Sequence, residues 1–342
     1  MLTINDFHFF SIDTTEDMTL YCPGGYHPTV IGDILRPTDG DDERGYRIMH
    51  KLGWGSYATV WLAQKTDYSA HFVAVKVSKA NDIPTGEPAM LQAAAKSQTD
   101  NGHSLHVPTL LDHFTLRGPN GTHSALVTDI IVPLHSLRSY NRHPLRCKTA
   151  ARGLTQAVVS LHAAGIVHGG VLSAHMVEIL VYRSLDLHLS NVGFALPQIV
   201  DQDQRDVMQD VGEPEITVTV TVSAAHQTRS LPAYLLTPCN LGAYYQQIAG
   251  DALPQVKIFD FGAGEPFFYT YPPRLLITPR AAHEVGAPPL SFQCAMEACA
   301  PEMAFARVVE KIDNPAVEPP ADVWALGTAV RLILLCLSAL IS

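Results

Sequence analysis

Between Tyr46 and Val77 the chain sets three short apolar runs around one glycine-rich turn, and few folds accommodate that order. Arg47-Ile-Met-His-Lys51 and Thr59-Val-Trp-Leu-Ala63 read as strands joined by Gly53-Trp-Gly55-Ser-Tyr-Ala58. Such a turn lets backbone N–H groups come close to phosphate oxygens, because no Cβ stands in the way. Taken alone it is a weak signal, and an ordinary hairpin accounts for it equally well. A third run follows, Phe72-Val-Ala-Val-Lys76-Val, apolar but for one lysine. On an edge strand that lysine would simply reach water along its aliphatic stem. Turn, strand and VAVK in this order instead direct Lys76 at the phosphates of a nucleotide.

A lysine in that role needs a carboxylate partner on the next helix. Glu87, in Gly86-Glu-Pro-Ala-Met-Leu91, is the best placed, opening a helical run through Ala95; an ordinary surface glutamate is an equal reading. Pro88 is tolerated only in a first turn. Ser124-Ala-Leu-Val-Thr-Asp129-Ile-Ile reads as a buried strand running into a hinge. There Thr128 would sit at the gatekeeper position, and Asp129 to Ile131 would offer backbone to an adenine.

The chemistry depends on Gly165 to Asn191. Lys148 to Ala164 places Ala151, Leu154, Val158 and Leu161 on one helical face, and Gly165 ends the helix. Gly-Ile-Val-His-Gly follows, and further on comes Asp186-Leu-His-Leu-Ser-Asn191. Phosphotransfer to a hydroxyl needs a carboxylate to take the proton, here Asp186, and an amide oxygen to hold a metal ion, here Asn191. Sixteen residues, Gly170 to Leu185, separate the two ends of this loop. A polar stretch of about sixty residues comes next, in which Glu215 to Val222 alternates as a strand would. It closes with Val256-Lys-Ile-Phe-Asp260-Phe-Gly262, whose aspartate is a second metal ligand. Ala300-Pro-Glu302 and Pro319-Pro-Ala-Asp322-Val-Trp-Ala-Leu-Gly327 complete the set. The apolar tail from Val323 to Ile341 has the length of a short anchor, but Arg331 near its centre favours a buried helix.

Composition narrows the class. A chain of 342 residues suits two modest lobes. With 33 acidic against 23 basic residues it disfavours direct nucleic-acid binding and favours a basic partner. Six cysteines without a CxxC pair read as reduced thiols, which fits cytoplasm and nucleus. Sixteen histidines form no HExxH, so a zinc site is not expected. Residues 1 to about 45 are polar and turn-rich and read as a solvated extension, although the two tyrosines and two prolines of YCPGGYHPTVIGD could dock on a folded surface.

Taken in order, these motifs resemble eukaryotic protein kinases, and the wording of YCPGGYHPTVIGD, YRIMHKLGWGSYATVWLA, VKIFDFG and PPADVWALGTAV is similar to the fungal-type SR-protein kinases. The resemblance implies an α+β, two-lobed fold: an extension over residues 1–45, a β-rich N-lobe over 46–132 and a helical C-lobe over 133–342, truncated after its central helix. The C-lobe would carry an insert at 170–185 and a spacer at 198–255. It implies a monomer that uses ATP and Mg2+ on serine in Arg/Ser-rich protein substrates, with no membrane or nucleic-acid partner. Carried over by position, Leu52, Gly53, Gly55, Val60, Ala74, Lys76, Glu87, Asp129 and Ile131 form the nucleotide site. Lys76 and Asp186 are the catalytic residues, and Asn191 and Asp260 hold metal. Four departures stand out: Gly169 replaces the arginine after the loop histidine, His188 replaces a lysine, the insert interrupts the loop, and the chain stops where further helices would pack, so that Glu302 lacks an arginine partner. Retained introns would account for both insert and tail, and the transcript sequence decides it. The alternatives are a catalytically impaired pseudokinase or mis-assembled product that at most binds ATP, and, because HGDLH is shared, a small-molecule phosphotransferase.

Overall fold

The computed structural model describes residues 3, 6–7, 14–38, 44–67, 71–80, 86–96, 106–137, 144–167, 191–200, 202–223, 228–261, 265–266 and 319–338. They fall into two compact units. Unit 1 takes residues 1–88, 108–137 and 194–252; unit 2 takes 89–107, 138–193 and 253–342.

Unit 1 is built on an antiparallel sheet of β1 (Ile34–Leu35), β2 (Tyr46–Trp54), β3 (Ala58–Lys65), β4 (Phe72–Ser78), β5 (Leu110–Gly118) and β6 (Gly121–Thr128), in the order β1-β2-β3-β4-β6-β5. The two runs expected around the glycine-rich turn are β2 and β3, each longer than the apolar core that announced it. Strand β5 was not anticipated, although Phe114 and Leu116 alternate along it and Gly118-Pro-Asn-Gly121 is a hairpin signal.

Alternation along these strands sorts their side chains onto two faces. Trp61 and Ala63 of β3, Val73, Val75 and Val77 of β4, and Ala125 and Val127 of β6 form one buried cluster. Leu236 joins it, with Ile31 and Tyr234 packed against it. Tyr234 lies in β11 (Tyr234–Leu236), which pairs with β10 (Ile216–Val218) in a separate two-stranded sheet. The described residues of the expected C-lobe spacer (198–255) thus belong to unit 1 up to residue 252. Its apolar residues have this face to bury, and a stretch without helical period can still supply a short strand. Only Ile216 to Val218 of the alternating run Glu215 to Val222 is strand. The stretch also holds two helices, α3 (Gln204–Val211) and α4 (Leu241–Ile248), which its overall polarity concealed.

The N-terminal segment is likewise docked. Tyr21 and Tyr26 are buried in a second cluster with Phe7, Met18, Leu231 and Leu235. The solvated reading therefore fails for residues 14–38, and the docking reading of YCPGGYHPTVIGD holds. Close approach explains Gly118: a Cβ there would lie 2.4 Å from the His27 ring.

Unit 2 contains α1 (Glu87–Lys96) from Ala89 onward, α2 (Pro144–Ala163) and, near the chain end, α5 (Pro319–Ser338). As its spacing predicts, α2 buries Ala151, Leu154, Val158 and Leu161, and Gly165 follows it at φ 71°. On α5, Ala325, Ala329 and Ile333 recur every four residues and are buried, and the helix packs on α2. Among the described residues no helix is long and apolar enough to cross a membrane. Of the remaining short strands, β7 (Ile131–Pro133), β8 (Ile166–Val167), β9 (Val192–Ala195) and β13 (Glu265–Pro266), β8 and β13 pair antiparallel. Strand β12 (Val256–Ile258) lies so close to α2 that a Cβ on Gly153 would meet Val256 at 3.0 Å.

Candidate nucleotide and metal site

Register places the expected nucleotide residues of unit 1 in rows. Gly53 pairs with Val60, Val60 with Lys76, and Lys76 with Leu126. One step along the same face, Leu62 pairs with Ala74 and Ala74 with Thr128. Val60, Ala74 and Lys76 therefore share the face opposite the Trp61 cluster. The VAVK run alternates by one residue between structure and site.

Lys76 Nζ donates to Glu87 Oε2 at 2.8 Å. Glu87 is the first residue of α1, where a carboxylate also meets the helix's positive end, and Pro88 sits in the first turn as expected. The lysine side chain keeps 25% of its surface exposed while the glutamate keeps 6%. That asymmetry holds the ammonium in place and leaves it reachable.

The glycines of the turn fit a phosphate cradle. Neither Gly53 nor Gly55 has a positive φ, and at each a Cβ would meet nothing within 4 Å. The fold itself does not demand glycine at either position, whereas close approach of a ligand would. The turn is held as a hairpin, with Gly55 N–H donating to Ala58 O at 2.9 Å and Lys79 N–H to Tyr57 O at 2.8 Å.

At the hinge, the Asp129 carboxylate accepts from Thr109 N–H at 2.7 Å, and the Thr128 hydroxyl donates to Asp129 O at 3.0 Å. The Asp129 side chain is thus engaged in closing the strand end, while Leu52 and Ile131 are half-buried.

In unit 2 the residue before Asp260 is tied to Asn191 through the backbone, since Phe259 N–H donates to Asn191 O at 2.9 Å. Asn191 is buried; Asp260 is exposed, with φ 66° in the left-handed region that aspartate tolerates better than most residues. An amide and a carboxylate are hard oxygen donors suited to Mg2+. Strand β12, which leads to Asp260, is anchored by buried Lys257, whose Nζ donates to Val107 O at 2.8 Å. Asp186, His168, Gly169, His188, the insert, Gly262 and Glu302 lie outside the described residues.

Sequence reasoning missed a second ion pair in unit 1. Lys51 and Glu16, 0% and 1% exposed, form a salt bridge, and the Tyr21 hydroxyl also donates to Glu16. The Lys51 ammonium lies 5.4 Å from the Trp61 ring centre and 5.6 Å from that of Trp54. Burial pushes Lys51 below the ordinary lysine range, opposed by Glu16.

With this geometry in view, the comparisons define the class first. A crystal structure of a kinase domain superposes with a TM-score of 0.50 at 16% identity, covering 93% of this chain and 68% of that one. The fold is a two-lobed, protein-kinase-like fold. No protein-family model matches the chain. Its relatives are more particular: it is 36% identical over 123 residues to serine/threonine-protein kinase SKY1 of Saccharomyces cerevisiae, covering 34% of this chain and 16% of that protein. It is 32% identical over 120 residues to SRSF protein kinase 3 of Homo sapiens, covering 34% of this chain and 20% of that protein. The chain thus spans about a fifth or less of the length of these two relatives, and its homologues are SRSF protein kinases and their kin.

Proposed function

We propose that the chain is an ATP-dependent serine/threonine protein kinase that transfers the γ-phosphoryl group of MgATP to serine in Arg/Ser-rich proteins. The observation that carries this reading is the Lys76–Glu87 pair at 2.8 Å, in register with Gly53 across two strands. Relatives named serine/threonine-protein kinase and SRSF protein kinase support the reaction class, and the excess of 33 acidic over 23 basic residues supports a basic substrate.

MgATP supplies the phosphoryl group and a divalent charge that offsets the anionic oxygens. Lys76 holds the α- and β-phosphates through charge-assisted hydrogen bonds, and Glu87 keeps its ammonium on that face. Asn191 and Asp260 would hold the metal ion through their side-chain oxygens. Asp186 takes the proton of the acceptor hydroxyl as its oxygen bonds to the γ-phosphorus and the bond to the β-phosphate oxygen breaks. Replacing Asp186 by alanine should abolish transfer to an Arg-Ser peptide and leave ATP binding intact. Transfer at the parent rate would show that the base is misassigned.

The sixteen residues between Gly169 and Asp186 favour a second reading, a pseudokinase. A chain that binds MgATP yet transfers nothing to the peptide would establish it. If deleting Gly170 to Leu185 restores transfer, the insert is the cause.

A further inference from the structure

The N-terminal segment meets the glycine-rich turn through a tyrosine hydroxyl. The Tyr26 hydroxyl donates to Gly55 O at 2.6 Å. Everything behind that hydroxyl is fixed. Tyr26 N–H donates to Leu20 O at 3.0 Å, and Asn120 Nδ2 donates to Tyr26 O at 2.6 Å. Its ring packs at 5.5 Å against Tyr21 and lies under the Lys79 ammonium, 4.6 Å from the ring centre. The residues just before it are tied down as well: Gly24 N–H donates to Asn120 O, and Gly25 O accepts from Ala80 N–H. Gly25 could carry no side chain, since a Cβ would lie 1.8 Å from Leu20 O.

The same segment grips the strand that leads into the turn. Glu16, itself held by the Tyr21 hydroxyl, forms a salt bridge with Lys51, two residues before Gly53, and Lys51 O accepts from Cys239 N–H at 2.9 Å. The base of the turn is thus fixed from the N-terminal segment and from the stretch before α4, and its tip from Tyr26. Gly55 N–H already donates across the hairpin to Ala58 O. With its carbonyl taken by Tyr26, the peptide on either side of Gly55 has its orientation set by this chain alone.

We propose that the Tyr26 hydroxyl is a positioning group that holds the glycine-rich turn in its phosphate-ready shape before any nucleotide arrives. The link to phosphate rests on the nucleotide-site reading above; the hold on the turn does not. A turn already ordered loses less conformational freedom on binding, so the benefit is specific to ligands that carry phosphates.

The test is Tyr26→Phe, which deletes one hydroxyl and keeps the ring. Amide hydrogen exchange of residues 52–57 in the nucleotide-free chain should accelerate severalfold, while exchange in β4 and β6 and the melting temperature stay as in the parent. Affinity for MgATP should fall roughly two- to tenfold, the range expected for one lost hydrogen bond, with adenosine binding unchanged. Unaltered exchange at 52–57 would overturn the proposal, and so would equal losses for MgATP and adenosine. Faster exchange in a chain whose parent form binds no MgATP would uphold the hold on the turn and remove the nucleotide-site reading instead.

Discussion

Unit 1 carries two lysine–glutamate pairs on opposite faces of one sheet. Lys51 pairs in register with Trp61, so its side chain shares the closed face, where it meets Glu16, itself held by the Tyr21 hydroxyl, and two indole rings. Lys76 stands on the other face beside Val60 and Ala74 and keeps a quarter of its side-chain surface exposed, with Glu87 as partner. The first lysine has no contact left to offer a ligand; the second does. A charge pair enclosed on every side sets structure, whereas one left half open toward small residues and an unobstructed glycine turn is available for chemistry.

Breaking the closed pair should give the largest effect on stability. Glu16→Ala leaves Lys51 buried without its carboxylate, at a cost of about 3–5 kcal/mol. Chemical denaturation measures it, and a loss below about 1 kcal/mol would mean that Lys51 reaches water. Next comes the cover of the same face. Leu236→Ala removes a residue packed on the Trp61 cluster and should cost about 2–5 kcal/mol. A neutral result would place that segment elsewhere.

A pH dependence sharpens the comparison from the N-terminal side. Burial, and then the neighbouring His123 ring, lowers the His27 imidazole from 6.5 to about 4. The unfolded chain protonates this ring as pH falls through about 6.5, while the folded chain does so only near 4. Stability is therefore full above about pH 6.5 and is lost as pH falls toward 4, by at most about 3 kcal/mol from this group. Denaturation midpoints near pH 7 and near pH 4.5 test it. His27→Phe should flatten the slope, and an unchanged slope would assign the effect to other groups.

The open face was legible from sequence because its signal is local. VAVK alternates within one strand, and Glu87 lies only eleven residues beyond Lys76. The closed pair was not legible, since Glu16 lies 35 residues before Lys51 in a segment whose composition reads as solvated. Tyr234 to Leu236 escaped for the same reason, as nothing local tells a short apolar run in a polar stretch which distant face it will cover. The Asn191–Phe259 link was foreseeable only as two motifs expected to serve one metal. The dihedral at Asp260 has no sequence signature at all.

The smallest expected change in stability belongs to the residue on which the functional account rests. Lys76→Ala removes the ammonium facing the open side of the sheet, and the melting temperature should move by no more than a few degrees. Calorimetric titration with MgATP measures the central claim directly. The variant should lose at least about tenfold in affinity, the size of one charge-assisted contact. Equal affinity in parent and variant would contradict the assignment of this face as the nucleotide site.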